Sequence, residues 1–495
     1  MAIHSSFKRD WLSNPKNEFL AGLVVALALI PEAIGFSIIA GVDPRVGLYA
    51  SFSIAVIISL IGGRPGMISA ATAAVAVLVV PLVRDHGTEY LFAATILMGI
   101  FQCIAALLRL DLLMRFVSRS VITGFVNALA ILIFMAQLPM LTGENMTVTT
   151  YAMIAAGLAM IYGLPRVTKA VPAPLVAIIL IAAVSIYFKL DVTTVGDTGA
   201  LPDSPPWFHI PQIPVTWETL QIIAPYSLAM AAVGLLESLL TASIVDDMTE
   251  TRSNKKRETY GQGIANFVTG FIGGMGGCAM IGQSVINIKS GGRRRLSTFV
   301  AGVMLLILIV ALGKWVAQIP MPALVAVMIF VSVSTFRWQS FTEITHHPWP
   351  SNLVMLATVI MVVVTHDLSI GVLTGVLLSG IFFAWKVRQL LIFEHYIDGR
   401  THHYVFGGQI FFASADLMYE AMEFNEDAVD TVIIDVHDAH FWDISATGML
   451  DKITQRLQAE GKKVEIIGLN EASASLVDKY GEHEKPFHSL GTTGH

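Results

Sequence analysis

Residues 219–245 read TLQIIAPYSLAMAAVGLLESLLTASIV, an apolar run that carries a single charged residue, Glu237. The run exceeds the ~20 residues a helix needs to cross a bilayer. A charge at that depth costs about 3 kcal/mol or more unless it is paired or hydrated, so such residues mark ion and substrate paths by default. The rest of the chain repeats the pattern. Hydrophobic residues make up 54% of the 495 positions and charged residues 14%, where a soluble domain carries about a quarter. Most of the chain therefore does not face water. The net charge of −6 comes with no clustered basic face, which excludes a nucleic-acid partner. Cys103 and Cys278 both fall in apolar runs and read as small packing residues, without disulfide framework or zinc spacing.

Apolar segments recur at 19–40, 46–62, 67–83, 90–108, 120–140, 150–164, 171–189, 219–245, 260–275, 278–289, 297–317, 322–336, 351–366 and 369–391, fourteen in all. Segments 67–83 and 278–289 are short, rich in small residues and flanked by glycine. Lys8, Arg9 and Lys16 precede the first run and no small-residue cleavage site follows it, so an uncleaved first helix with a cytoplasmic N-terminus is expected. With that orientation the inner loops hold Arg64, Arg109, Arg115, Arg119, Arg166, Lys169, Arg252, Lys255, Lys256, Arg257, Arg293, Arg294, Arg295 and Arg337. The outer loops hold only Arg45, Arg84, Lys189 and Lys314, the bias of the positive-inside rule. Removing one helix would invert every later loop. Both termini are therefore expected in the cytoplasm, with the chain in the inner (plasma) membrane.

The outer stretch 190–218 carries Pro202, Pro205, Pro206, Pro211 and Pro214 and splits the spans into seven and seven. Seven is odd, so the second group enters from the opposite side, the arithmetic of an inverted repeat over about 17–190 and 217–392. A weak echo supports it, with Glu32 the sole acid at membrane depth in the first helix and Glu237 in the eighth. The two short segments fall third and tenth, at matching positions, and such pairs point to a transporter's binding site.

Thr241 lies one turn after Glu237 on the same face. The pair suits a dehydrated Na⁺ held through oxygen, a carboxylate that carries a proton, or a structural acid bonded to a neighbouring helix. Glu32 follows Pro31 and is a candidate gate or anchor. In the short segments, half-helix N-termini facing each other would present unpaired N–H groups and positive dipole ends to an anion. Thr72 with Ala71, and Cys278, Ala279, Met280, Ile281, Gln283 and Ser284, are the candidate anion-binding residues. Close helix packing through small residues is the plain alternative. Asp246 and Asp247 read as solvated, His346 and His347 lack spaced metal-ligand partners, and Asn145–Met146–Thr147 matches a glycosylation sequon only as three residues.

After Leu391 charged residues become frequent. Strand patterns at His403–Phe412, Thr431–Val436 and Val464–Gly468 alternate with helical ones at Ser414–Phe424, Ser445–Glu460 and Glu471–Tyr480, a βαβ-type cytoplasmic domain over about 393–490, set against a transport domain over 1–392.

Three stretches together resemble the SulP (sulfate permease) family, bacterial type. They are Pro31–Glu32–Ala33 through Gly41, Pro44 and Gly47–Leu48–Tyr49; Glu237–Ser238–Leu239–Leu240–Thr241–Ala242 with Gly261–Gln262–Gly263–Ile264–Ala265–Asn266; and Asn287 with Gly291–Gly292–Arg293 and Leu296–Ser297. The C-terminal domain resembles the family's STAS domain. The resemblance implies a uracil-permease-type fold with core and gate domains, a homodimer, Na⁺ at Glu237 and Thr241, and an anion near Thr72. Gln283 stands where many members have arginine, which weighs against divalent sulfate. Ser445 aligns with the phosphorylated serine of soluble STAS relatives. The expected function is secondary active transport of a small anion by an elevator-like mechanism, with Na⁺-coupled bicarbonate uptake the leading reading. Proton-coupled sulfate or dicarboxylate transport, anion exchange and an uncoupled channel are the alternatives, and Glu237 weighs against the channel. No nucleophile–base set points to an enzyme, and no cofactor or metal is expected beyond Na⁺ or H⁺.

Overall fold

The computed structural model describes residues 11, 13–110, 112, 117–142, 147–166, 172–424 and 429–481. Arg115, Lys169 and the Asn145–Met146 part of the sequon lie outside them. The chain divides into two compact units, Met1–Val376 and Leu377–His495.

Helix α1 (Pro15–Ala40) ends where Gly41 turns left-handed at φ 76°, and α2 (Pro44–Ile61) starts on a proline whose missing N–H would have been unpaired anyway. Strand β1 (Ser69–Ala71), α3 (Ala73–Leu78), α4 (Val80–His86), α5 (Thr88–Leu107), α6 (Arg119–Met135), α7 (Val148–Gly163) and α8 (Ala173–Tyr187) complete the first half. Beyond the proline-rich connector come α9 (Trp217–Thr249), α10 (Lys255–Gly270), β2 (Gly277–Ala279) and α11 (Ile281–Lys289). They are followed by α12 (Arg295–Val316), α13 (Met321–Thr335), α14 (Gln339–Glu343), α15 (Trp349–Thr365) and α16 (Leu368–Arg388).

Among the described residues nine helices are long and apolar enough to cross a bilayer, while α8 and α15 are apolar but shorter. Length and composition thus do not by themselves reach fourteen spans. The expected helix 260–275 is displaced to Lys255–Gly270, and it buries Gln262 and Asn266 where an average membrane helix has aliphatic side chains. The expected helix 67–83 is a strand followed by two short helices. The expected helix 278–289 starts as a strand and is helical only from Ile281. In both, the small residues serve close backbone pairing before any helix begins.

The helices pack in two groups. In the first, α1 lies against α2 and α12, α2 against α10 and α12, and α5 against α9 and α10. In the second, α6 lies against α13 and α15, and α7 against α8 and α13. Gly99 and Gly263 let α5 and α10 approach so closely that a Cβ on Gly99 would stand 2.6 Å from the Gly263 carbonyl oxygen.

At the arginine-rich end of the first group Arg252, Lys256, Arg257 and Arg293 are exposed, but Glu18, Arg64, Glu258 and Arg295 are buried. Glu18 accepts backbone N–H bonds from Arg293 at 2.7 Å, Arg294 at 3.0 Å and Ser297 at 3.2 Å. Glu258 accepts from Gly63 at 2.7 Å and Arg64 at 3.0 Å. Arg295 donates to the Gly62 carbonyl at 2.7 Å. Asp246, expected to be solvated, is only 18% exposed and pairs with buried Arg64 at 3.2 Å and Lys255 at 3.1 Å, because two cations enclose it. Asp247 is exposed.

The second unit holds a four-stranded sheet in the order β3-β4-β5-β6: β3 (Ile392–Asp398), β4 (Thr401–Ile410), β5 (Thr431–Phe441) and β6 (Lys463–Ile467). β3 and β4 form an antiparallel hairpin, and β4–β5 and β5–β6 are parallel. The crossovers run through α17 (Ala415–Glu420) and α18 (Ile444–Ala459), and α19 (Glu471–Tyr480) follows β6. Buried Tyr404, Phe406, Ile434, Val436, Leu450 and Ile466 form its core. β3 escapes the sequence pattern because all seven of its residues are exposed, which leaves no apolar alternation to read.

β1 and β2 pair antiparallel, Ser69 with Ala279, Ala70 with Cys278 and Ala71 with Gly277, and all six are buried. A Cβ on Gly277 would stand 2.1 Å from the Ala70 carbonyl oxygen, whereas one on Gly380 in α16 would meet nothing within 4 Å. Gly277→Ala should therefore destabilise the purified protein by about 1–3 kcal/mol, read as a lower unfolding temperature in detergent, while Gly380→Ala leaves it unchanged.

Candidate functional site

The β1–β2 ribbon has two strands and no sheet around it, so its outer backbone groups must find partners elsewhere. Side chains supply them. Asn266 of α10 accepts from the Gly277 N–H at 2.9 Å and donates to the Gly277 carbonyl at 3.0 Å, a side-chain copy of a strand neighbour. Ser51 of α2 accepts from the Ala71 N–H at 3.3 Å, and Ser238 of α9 from the Ala279 N–H at 3.1 Å. Ser284 accepts from the Ile68 N–H at 3.0 Å. The Met280 N–H donates to the Ile68 carbonyl at 2.9 Å.

These bonds relocate the free donors. The N–H groups of Ala71, Ala279 and Met280, candidates for holding an anion, are committed to the protein. Open ones lie a step further on, at Ala73, Ala74 and Val75 in the uncapped first turn of α3 and at Ile281, Gly282 and Gln283. The first intrahelical bond of α11 runs from Ser284 N–H to the Met280 carbonyl, and no side chain caps this end. The facing helix α3 has six residues before it breaks at Val79. It carries little of the dipole that a longer helix sums, and α11, with nine residues, is the stronger of the two ends.

Both membrane carboxylates reach this same segment. Glu32 of α1 accepts a hydrogen bond from Gln283 Nε2 at 2.6 Å. Glu237 of α9 accepts one from Cys278 Sγ at 3.0 Å, and Thr72 Oγ1 stands 3.2 Å from that sulfur. Cys278 is thus a polar bridge between Glu237 and the start of α3, beyond the packing role its apolar neighbours suggest. Cys103 does pack, its sulfur against Gly263. Thr241 does not meet the Glu237 carboxylate. Its hydroxyl donates to the Glu237 carbonyl at 2.7 Å and lies 3.5 Å from the Ala279 carbonyl. The Glu237 carboxylate, Thr241 hydroxyl and Ala279 carbonyl are hard oxygen ligands of the kind Na⁺ takes.

A cavity of about 440 Å³ opens beside Gln283. Glu32 and Pro31 line it from α1, Tyr162 from α7, Val327 and Phe330 from α13, and Gln283 and Ile286 from α11, so it lies between the two helix groups. Gln283 is 3% exposed, and its Oε1 is buried with no donor among the described residues. Among the described residues no lysine or arginine lines the cavity. Its aromatic wall, Tyr162 edge-on to Phe330 at 5.6 Å, left no mark in the sequence. Asn266 and Ser238 did, as polar residues in apolar helices inside the motifs quoted above. Ser445 sits exposed in the first turn of α18 in the other unit, behind Asp443, which caps that helix by accepting from the Ala446 N–H at 2.9 Å.

The sequence profile of the sulfate permease family matches residues 16–166 and 151–361, and that of the STAS domain matches 395–492. The chain is 57% identical to YbaR of Bacillus subtilis, a protein named provisionally for sulfate transport, over 96% of this chain and 99% of that one. It is 25% identical to the bicarbonate transporter BicA of Picosynechococcus, over 76% of this chain and 71% of BicA. The solved transmembrane domain of a cyanobacterial BicA superposes with a TM-score of 0.63 at 25% identity, covering 74% of this chain and 98% of that one. The murine solute carrier 26 family member A9 anion transporter in its inward-facing state superposes at 0.81 over 95% of this chain and 87% of that one. At 14% identity that likeness speaks for the fold alone.

A Cβ on Gly282 would meet nothing within 4 Å, so Gly282→Ala should fold with unchanged thermal stability. It should nevertheless weaken anion binding about tenfold or more if the anion lies against the α11 amides, measured by titrating substrate into purified protein. Unchanged affinity would place the anion elsewhere.

Proposed function

The chain belongs to the sulfate permease family of multi-pass membrane anion transporters, and we propose that within it this protein couples uptake of a small monovalent anion, bicarbonate first among them, to an inward cation gradient. The observation that carries the substrate reading is the acceptor at the cavity, the Glu32 carboxylate held there by Gln283 Nε2. An anion that keeps an O–H can donate to an acceptor while its oxygens take the α11 amides; fully ionised sulfate and halides cannot. The described wall works the same way: it offers a divalent anion no cation, only amides and a partial dipole against Glu32. The names of the relatives point both ways, to sulfate and to bicarbonate, and the chemistry of the wall favours the latter.

Coupling rests on β2. Glu237 is hydrogen-bonded through Cys278 to the strand whose next residues begin the anion cradle, so a cation at Glu237 and an anion at α11 would share one rigid segment. Displacement of the first helix group against the second would carry both across. Na⁺ suits the oxygen set around Glu237, with H⁺ the alternative. A homodimer with cytoplasmic termini completes the reading.

Proteoliposome uptake separates these elements. Glu237→Gln keeps the shape but removes the charge, and concentrative uptake should vanish while anion exchange at zero gradient persists; a mutant that still concentrates substrate would sink the coupling role. Running the wild type with a Na⁺ gradient alone and a pH gradient alone identifies the cation.

Nitrate is the second probe, being planar and monovalent like bicarbonate but without a proton to donate. Wild type should prefer bicarbonate over nitrate, and Gln283→Met should lower that preference about tenfold. A preference indifferent to position 283 would remove the substrate argument.

A further inference from the structure

A second polar cavity, of about 170 Å³, lies in the other helix group, away from the candidate transport site. Arg119 and Thr123 line it from α6, Arg337 and Ser340 from the turn after α13 and from α14, and Asn352 from α15. Among the described residues Glu343 is the one carboxylate on its wall, and His347 lines it too. Arg337 is fixed in place: its Nη1 donates to Thr123 Oγ1 at 2.9 Å and its backbone N–H to Asn127 Oδ1 at 2.9 Å. Asn127 in turn donates to Ser340 Oγ at 2.9 Å. One of the guanidinium's five N–H donors is thus used, and the others meet no acceptor among the described residues. Arg119 makes no ion pair or hydrogen bond among the described residues, and neither arginine is paired with Glu343. Two arginines against one carboxylate leave a net positive pocket with hydroxyl donors, built for an oxyanion.

Its surroundings indicate which oxyanion. Trp338, Phe341 and Trp349 stand 58–59% exposed on the elements that form the pocket, and exposed tryptophans of this kind sit at the head-group level of a bilayer. Further along α15, Leu353, Leu356 and Ile360 form an exposed aliphatic stripe, suited to acyl chains. We propose that this pocket binds the phosphate of an anionic phospholipid, with Arg119 and Arg337 as its ligands and the α15 stripe against its tails. Basic pockets between membrane helices take lipid head groups in this way. The bound lipid would brace α13, which ends two residues before Arg337 and carries Val327 and Phe330 into the wall of the transport cavity. Lipid composition would thereby tune the stiffness of that wall.

The test uses the full chain in detergent, titrated with dioleoyl phosphatidylglycerol, dioleoyl phosphatidylcholine or inorganic phosphate while thermal unfolding is followed. Phosphatidylglycerol should raise the unfolding temperature and phosphatidylcholine should not. Arg119→Gln, which removes no hydrogen bond and so should fold, should weaken the phosphatidylglycerol response about fivefold, and Arg337→Gln by a similar factor. Equal responses to the two lipids, or an Arg119→Gln/Arg337→Gln variant that folds and responds like wild type, would overturn the proposal. If inorganic phosphate alone reproduces the shift and the double variant loses it, the pocket takes a free oxyanion and the lipid assignment fails.

Discussion

Every backbone N–H and C=O held at membrane depth must be paired inside the protein or face a cavity, and the β1–β2 ribbon is where this chain meets that demand without a helix. Two three-residue strands satisfy each other, and Asn266, Ser51, Ser238 and Ser284 satisfy their outer edges. Each of those side chains comes from a different helix. The ribbon therefore fixes the relative positions of α2, α9, α10 and α11, and the packing of the first helix group follows from it. Gly277 is indispensable for the same reason, since the Ala70 carbonyl occupies the space where any side chain would begin.

The ribbon also decides where chemistry can happen. By using up the amides of Ala71, Ala279 and Met280 it leaves the first turns of α3 and α11 as open donors, α11 the longer helix of the two, and it brings Glu237 and Glu32 to opposite ends of one short segment, Cys278 to Gln283. Neither acid meets a basic side chain there. Their partners are a thiol and an amide, neutral donors that hold a carboxylate in place without cancelling its charge. A carboxylate so held stays available to a mobile cation, which a lysine or arginine partner would have displaced.

Much of this was legible in the residues. The apolar runs and the matched short segments led to a helical bundle with a pair of interrupted elements, and the sulfate permease resemblance agrees with the sequence profile over most of the chain. The proline-rich stretch divides the sequence but not the packing, since each helix group draws helices from both sides of it. What could not be read shares one cause. Hydropathy averages over a helix and is blind to which side a polar residue faces, so α10 with its buried Gln262 and Asn266 was displaced by several residues. Small residues read equally well as helix contacts or as strand, and only the pairing of Ser69–Ala71 with Gly277–Ala279, far apart in the chain, distinguishes them. The burial of Arg64, Asp246 and Arg295 was hidden similarly, because a loop charge looks solvated until the opposing loop is in place. β3 was lost for want of any buried face.

The same pairing sets a constraint on biogenesis. Thr72 and Cys278 are 206 residues apart, and the halves that carry them enter the membrane one after the other. At synthesis rates of about 5–20 residues per second, the segment that begins at Ser69 waits roughly 10–40 s for the strand that completes it. Through that interval its backbone must be sheltered by α2 and by water in an unfinished bundle, or by the insertion machinery itself. One order-dependent step in making this protein is therefore the closing of a contact only three residues wide, and the first half of the chain is a bundle built around a gap until the second half arrives to fill it.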